Sequence, residues 1–229
     1  MISALLLDLD DTLYDEASYA MSGFAVVAGR IAALSGASPA SVLETLVAIE
    51  RRDGRGKIFD AALAAHGIEP DPALVGRLVT AYRMHRPEID LLPGVRRLLT
   101  RLGSRYRLAI VTDGLPAMQR RKIAALDLEP AVDDVVYTWE LHAPKPDPAG
   151  FLRALDCLGT APERAVVVGD NPRHDMVAAR AIGARSIRVR AGRFADMASL
   201  SSAPEDREIR GIDALEAALT CLEEVPAHA

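Results

Sequence analysis

Residues 5–16 read LLLDLDDTLYDE, and Ala4 extends the apolar run backwards. Ala4–Leu7 has the length and content of a strand buried on both faces. It runs directly into Asp8, Asp10 and Asp11. Carboxylates this close repel, and taking one out of water costs free energy on the scale of a folded domain's whole margin. A positive group must therefore be brought to this turn by another part of the chain.

Beyond the turn the chain reads as helical. Phe24, Val27, Ala28, Ile31 and Leu34 keep a helical spacing. Ser38-Pro39 reads as an N-cap followed by proline at the first helical position, with Val42, Leu43, Leu46 and Val47 as an apolar face. A third helix carries Phe59 and Leu63. Asp71-Pro72 opens a fourth, with Leu74, Val75, Leu78, Val79 and Tyr82 on one side. From Leu91 onward β-like runs alternate with helical ones. Strands are expected at Leu108–Val111, Asp134–Tyr137, Ala165–Val168 and Ser186–Val189, and helices at 116–126, 147–158, 173–182 and 212–222. Residues 191–210 read as a polar loop. This alternation predicts an α/β fold: a Rossmann-like parallel sheet with helices on both faces. Ala4–Leu7 must join that sheet, so the helical block is an insertion. The expected division is an α/β catalytic core of residues 1–14 and 91–229, and an α-helical cap of residues 15–90.

The 229 residues, half of them hydrophobic, suffice for a large core with a smaller companion. A net charge of −5 without a basic stripe argues against a nucleic-acid polymer as partner. Cys157 and Cys221 lie in apolar, helical surroundings outside any Cys-x-x-Cys pair, and are expected as reduced core thiols. The five histidines lack metal spacing, and His174 is expected on a solvated loop. No apolar run is read as approaching a membrane span, and the N-terminus lacks the basic start of a signal peptide. The expectation is a cytoplasmic protein without a membrane partner, a monomer or homodimer.

Ligands of open parallel sheets bind beyond the carboxyl ends of the strands. Asp8 and Asp10 follow the first strand, Thr112 the second, and Asp170 and Asp175 follow Val166–Gly169; Lys145 lies in the loop HAPKPDP. Two acidic clusters at one edge need a cation, and oxygen ligands without Cys or paired His favour Mg²⁺. Lys145 is a point charge suited to phosphate oxygens. Thr112 and the amides of Asp113 and Gly114 can donate to the same oxygens, helped by the helix N-terminus next in the chain. A carboxylate supported by a metal can attack phosphorus, and a second one can act as acid and then base.

DLDDTL (8–13), VTDG (111–114), KPDP (145–148) and GDNPRHD (169–175), in this order, resemble the four motifs of the haloacid dehalogenase-like hydrolase superfamily. The resemblance covers the whole chain, and the placement of the helical block resembles the subfamily with a C1-type cap. It implies a Mg²⁺-dependent phosphomonoesterase acting on a small phosphorylated metabolite through an aspartyl-phosphate. Asp8 would be the nucleophile and a metal ligand. Asp10 would serve as acid and base, and would bind the metal through its backbone carbonyl. Thr112 and Lys145 would hold the phosphoryl oxygens. Asp170 would be a direct metal ligand, and Asp175 would support the metal directly or through water, with Asn171 orienting the cluster. Asp175 can equally be a helix-start residue with a structural role. Asp11 is read as shaping the turn, and Asp113 as donating through its backbone alone. Ala143 departs from the glycine that relatives often carry before the Pro-Lys pair. The stretch VTDGLPAMQRRKIAALDL (111–128) resembles nucleotide- and sugar-phosphate phosphatases of the superfamily.

Substrate contacts are less sharply written. Arg51, Arg52, Arg55 and Lys57 read either as a positive rim for an anionic substrate or as the basic end of a helix stopped at Gly54. Tyr14 is read as starting a linker and facing the cleft. A phosphosugar mutase using the same aspartyl-phosphate is the alternative reading, followed by a dehalogenase and a non-catalytic binding protein.

Overall fold

The structure is a computed structural model, and it describes residues 1–224. The chain divides into two compact units. One comprises Met1–Glu16 and the chain from Asp90 onward, the other Ala17–Ile89.

The first unit is built on six parallel strands among the described residues. They are β1 (Ala4–Leu7), β2 (Arg107–Thr112), β3 (Asp134–Tyr137), β4 (Ala165–Gly169), β5 (Arg185–Val189) and β6 (Arg207–Ile209), in the order β3-β2-β1-β4-β5-β6. β1 is central, with Leu7 opposite Ile110 on one side and Val168 on the other. Its apolar run is explained by burial on both faces. Leu6, Ala109 and Val167 pack with Phe151, Ala154 and Leu155 of one helix and Ala178 and Ala179 of another. The alternate residues Leu5, Leu7, Ile110 and Val168 are equally buried on the opposite face. This unit's helices are Val95–Gly103, Pro116–Ala125, Ala149–Leu158, Val177–Ile182 and Leu215–Glu224. A π turn, Pro172–Met176, precedes the fourth of them.

The second unit has its own core. Its helices Glu16–Ser35 (which begins one residue before the unit), Pro39–Asp53, Ile58–Ala65 and Pro72–Met84 enclose Phe24, Val27, Ile31, Leu46, Phe59 and Leu63. Ser38 and Asp71 cap two of these helices, accepting from Ser41 N at 3.2 Å and from Ala73 N at 2.8 Å. Each is followed by proline, whose missing N–H costs nothing in the first turn.

The structure corrects four expectations. Residues 191–210 contain β6, a short edge strand fixed by pairing Ile187 with Arg207 rather than by its own exposed sequence. Val95–Gly103, where no element was expected, is a helix that buries Val95, Leu98, Leu99 and Leu102. Glu16–Ser35 is long and apolar enough, by length and composition, to cross a membrane. Arg30 and the small residues around it disguise that length, while Tyr19, Phe24, Val27 and Ile31 form a buried stripe within the helix. Cys157 and Cys221 are exposed, not core thiols. Ala149–Leu158 buries positions 151, 154, 155 and 158, and Leu215–Glu224 buries 215, 218, 219 and 222, so both cysteines fall off the apolar stripe.

Candidate active site

Asp8, Thr112 and Asp170 stand at the carboxyl ends of three adjacent strands, β1, β2 and β4. Asp8 continues the ladder, its N–H donating to Val168 O at 2.8 Å. The positive group required at this turn is Lys145. Its Nζ lies 2.5 Å from Asp8 Oδ1 and 2.7 Å from Asp175 Oδ1, in a side chain with 2% exposure. Burial alone would discharge this lysine, but the carboxylates of Asp175 and Asp8 outweigh it and hold the ammonium charged. The loop reaches Asp8 because Lys145 N donates to Asp113 Oδ1 at 3.0 Å, and the same carboxylate accepts from the Thr138 hydroxyl. Asp113 therefore works through its side chain as a strut for the lysine loop, which corrects the reading that only its backbone matters.

Asp175 is carried by the π turn, whose first residues are capped by Asn171 Oδ1 accepting from Arg173 N at 3.0 Å. Its Oδ2 accepts from Asn171 N at 3.2 Å, so both its oxygens are engaged. It sits against Gly169 at the end of β4, where a Cβ would lie 2.4 Å from Asp175 Cγ. One carboxylate oxygen each from Asp8, Asp170 and Asp175 lies within 4.8 Å of the others. Asp170 Oδ2 is buried with no hydrogen-bond partner. Burial, then repulsion from Asp8, Asp175 and Asp11, pushes the Asp170 carboxyl up to about 9. Burial likewise raises Asp8 to about 7 against the pull of Lys145. An orphaned oxygen amid raised carboxyls, in an all-oxygen donor set, is the chemistry a hard divalent cation fits.

Asp10 is held differently. Lys122 Nζ lies 2.6 Å from Oδ1, the Tyr14 hydroxyl donates to the same oxygen, and Gln119 Nε2 donates to Oδ2 at 2.8 Å. Burial works against its ionisation, but Lys122 and the bonds from Tyr14 and Gln119 prevail and keep the carboxyl below the usual range. Tyr14 spends its hydroxyl proton on Asp10, so it supports Asp10 rather than facing a substrate, contrary to expectation. Thr112 is fully buried and accepts from Gln119 Nε2 at 2.6 Å. Gly114 takes φ 117° in the turn that leads into the helix at Pro116.

Asp11 adopts φ 57°, accepting from Glu16 N at 3.0 Å and Arg193 N at 3.3 Å. The loop presenting Arg193 is gripped from below by Arg188, fully buried on β5. Arg188 Nη2 donates to Phe194 O at 2.9 Å and Met197 O at 2.7 Å. Arg193 and Phe194 line the same cleft as Asp8, Asp10 and Lys145. His174 is about half exposed there, with Nδ1 4.0 Å from Asp113 Oδ2. Arg51, Arg55 and Lys57 belong to the helical unit, where Arg55 Nε pairs with Glu50 Oε1 at 2.5 Å.

Sequence reasoning missed Gln119 and Lys122. Their signal was a polar pair three residues apart, on the side of the helix that also buries Ile123.

The sequence model of a family described as haloacid dehalogenase-like hydrolase matches residues 2–183. The chain is 32% identical over 208 residues to a glyceraldehyde 3-phosphate phosphatase of Methanopyrus kandleri, covering 86% of this chain and 88% of that one. It is 32% identical over 222 residues to a phosphoserine phosphatase of Thermus thermophilus, covering 82% and 88%. A solved 2-haloacid dehalogenase from Pseudomonas syringae superposes with a TM-score of 0.68 at 25% identity, covering 97% of this chain and all of that one.

Proposed function

Because the chain belongs to the haloacid dehalogenase-like hydrolases, we propose that it is a Mg²⁺-dependent phosphomonoesterase acting on a small phosphorylated metabolite. The observation that carries this reading is Asp8, with one oxygen on Lys145, set among carboxylates of which Asp170 keeps an oxygen without a partner. Relatives named as phosphatases for glyceraldehyde 3-phosphate and phosphoserine support the substrate class.

Asp8, Asp170 and the backbone carbonyl of Asp10 would hold the Mg²⁺. Asp175, both of whose oxygens are engaged, would steady Lys145 and the cluster. When bound, the cation draws charge from the phosphoryl oxygens and offsets that of the carboxylates. Lys145 and the Thr112 hydroxyl would bind the transferring phosphoryl group, with the amides of Asp113 and Gly114 beside them. An Asp8 oxygen attacks phosphorus and the ester P–O bond breaks as the protonated form of Asp10, which its donors make the minor one, gives its proton to the leaving oxygen and releases the alcohol. Water then attacks the phosphorus of the aspartyl-phosphate and its proton passes to Asp10. Inorganic phosphate leaves and the Asp8 carboxylate is restored. The donors around Asp10 suit this second step, because they favour the ionised form that accepts the proton. The Ala17–Ile89 unit would act as the cap that selects the substrate.

The test is turnover of sugar phosphates, nucleoside monophosphates and small organic phosphates, with Mg²⁺ and with chelator. Asp8→Asn should abolish phosphate release; full turnover by that variant would refute the nucleophile. A dehalogenase reading draws support from the structural likeness to 2-haloacid dehalogenase. Halide release that persists in chelator would favour it over the phosphatase.

A further inference from the structure

Two side chains beneath the site are assigned neither to the phosphoryl group nor to the metal. Gln119 and Lys122 lie on the helix Pro116–Ala125, 2% and 4% exposed. Lysine is almost never buried without a specific partner, and Lys122 ends 2.6 Å from Asp10 Oδ1. Gln119 makes two contacts with the same atom: Nε2 is 2.8 Å from Asp10 Oδ2 and 2.6 Å from Thr112 Oγ1.

The chemistry of these contacts fixes the direction of every bond. An ammonium has only donors, so the Asp10 carboxylate that faces it accepts. The amide edge turned to Asp10 must then be the NH₂ of Gln119. That group has two hydrogens. One goes to Asp10 Oδ2 and the other to Thr112 Oγ1. A hydroxyl whose oxygen accepts from an amide keeps its own proton for a different acceptor. Gln119 thereby aims the Thr112 proton away from the helix while holding the plane of the Asp10 carboxylate, and Lys122 pins the other oxygen of that carboxylate.

We propose that Gln119 and Lys122 are positioning residues that lock the proton-transfer group, Asp10, and the phosphoryl ligand, Thr112, into one rigid unit. The inference rests on the roles given to Asp10 and Thr112 in the proposed phosphatase reaction. Its consequence is specific. If Asp10 loses its orientation, esters whose leaving oxygen must be protonated suffer most. Esters with a stable phenolate leaving group, such as dinitrophenyl phosphate, need no such help.

The experiment measures kcat/KM, which reports transfer to Asp8, across a series of aryl and alkyl phosphates with Mg²⁺ present. Gln119→Met and Lys122→Met are compared with Asp10→Asn. General acid–base catalysis contributes about 10²–10⁴-fold, so partial loss of aim should lower the ratio of alkyl to dinitrophenyl rates about 10-fold or more in both variants; Lys122→Met should leave dinitrophenyl phosphate within about 3-fold, whereas Gln119→Met, which also frees Thr112, should slow all substrates by a further common factor. Lys122→Arg, which restores a donor, should recover most of the alkyl rate. A merely structural role would leave the ratio of alkyl to dinitrophenyl rates unchanged in both variants, and that result overturns the inference. If Asp10→Asn is itself indifferent to the leaving group, the parent reading of Asp10 fails. If Asp10→Asn shows the dependence and the Gln119 and Lys122 variants do not, only the positioning roles fail. Should Lys122→Met not fold, Gln119→Met alone decides, because it removes no charge.

Discussion

Gly169→Ala tests the packing of the site most directly. The new Cβ would lie 2.4 Å from Asp175 Cγ and 2.5 Å from Asp175 Oδ2. Carbon atoms in good contact sit about 3.5–4.0 Å apart, so the overlap exceeds about 1 Å. Asp175 cannot simply rotate, because it is 1% exposed and Lys145 Nζ and Asn171 N hold its two oxygens. One escape is a backbone shift at the end of β4, which costs about 1–3 kcal/mol as overpacking does. The other is expulsion of Asp175 from its buried ion pair, at about 3–5 kcal/mol. The cheaper route should prevail, giving a loss of about 2 kcal/mol. For a chain of this size Tm should fall by about 4–8 °C. Trp139, the sole tryptophan, lies in the strand-bearing unit, so its fluorescence in urea follows that unit. Turnover should fall with stability, since displacing Asp175 also displaces the lysine that holds Asp8. In the double variant Gly169→Ala/Asp175→Ala the contacts with Cγ and Oδ2 are gone and only the Cβ contact at 2.9 Å remains, so the combined loss should fall short of the sum by about 1 kcal/mol or more. Unfolding of Gly169→Ala within about 0.5 kcal/mol of the parent, or strict additivity in the cycle, would refute this account of the glycine.

Lys145→Met leaves Asp8 and Asp175 facing each other without their shared cation. It should abolish turnover and destabilise the metal-free protein by about 3–5 kcal/mol in urea melts. In chelator, the Asp170 carboxyl stands near 9 in the folded chain against 3.8 in the unfolded one. The folded state then keeps a proton that the unfolded state has lost, so stability falls as pH rises from about 4 to about 9. Asp170→Asn should flatten that fall, and an unchanged slope would exclude Asp170 as its source. With Mg²⁺ at about 100 times its dissociation constant the parent should gain about 2.7 kcal/mol, seen as a rise in Tm that Asp170→Asn lacks. Arg188→Met removes the charged donor from the carbonyls of Phe194 and Met197, which keep only Met197 N at 3.1 Å and Arg190 Nη1 at 3.3 Å, and should cost about 1.5–3 kcal/mol, with earlier proteolytic nicking in the 191–206 segment than in the parent.

The strands and their carboxylates were legible because β1, β2 and β4 are buried on both faces and therefore written almost wholly in apolar residues. An aspartate at the end of such a run stands out. Lys145 was legible by its setting between prolines, although the carboxylate of Asp113 that carries its loop was not. Gln119, Lys122 and Arg188 were illegible for one shared reason. A polar residue on an amphipathic element is assigned to solvent unless its partner is known, and each of these partners lies far off in sequence or on a loop. Asp10 and Gln119 are 109 positions apart. Arg188 in the strand RSIRV reads as an outward residue, yet two loop carbonyls accept its guanidinium. The two cysteines differ in kind, since the four-residue spacing of their own helices would have put them outside.

Where the chain leaves the sheet unit and where it returns, it touches itself. Leu92 N donates to Leu13 O at 3.0 Å, and Tyr14 pairs antiparallel with Leu91. Paired antiparallel residues have Cα atoms about 4.5–5.5 Å apart. The stem is thus stitched shut by backbone bonds that owe nothing to what it carries. Any module whose own ends meet at that spacing could be grafted there, and a tight turn could replace the whole segment without unpairing a strand. A lineage could therefore exchange what this stem carries without disturbing the strand ends that hold Asp8, Thr112 and Asp170.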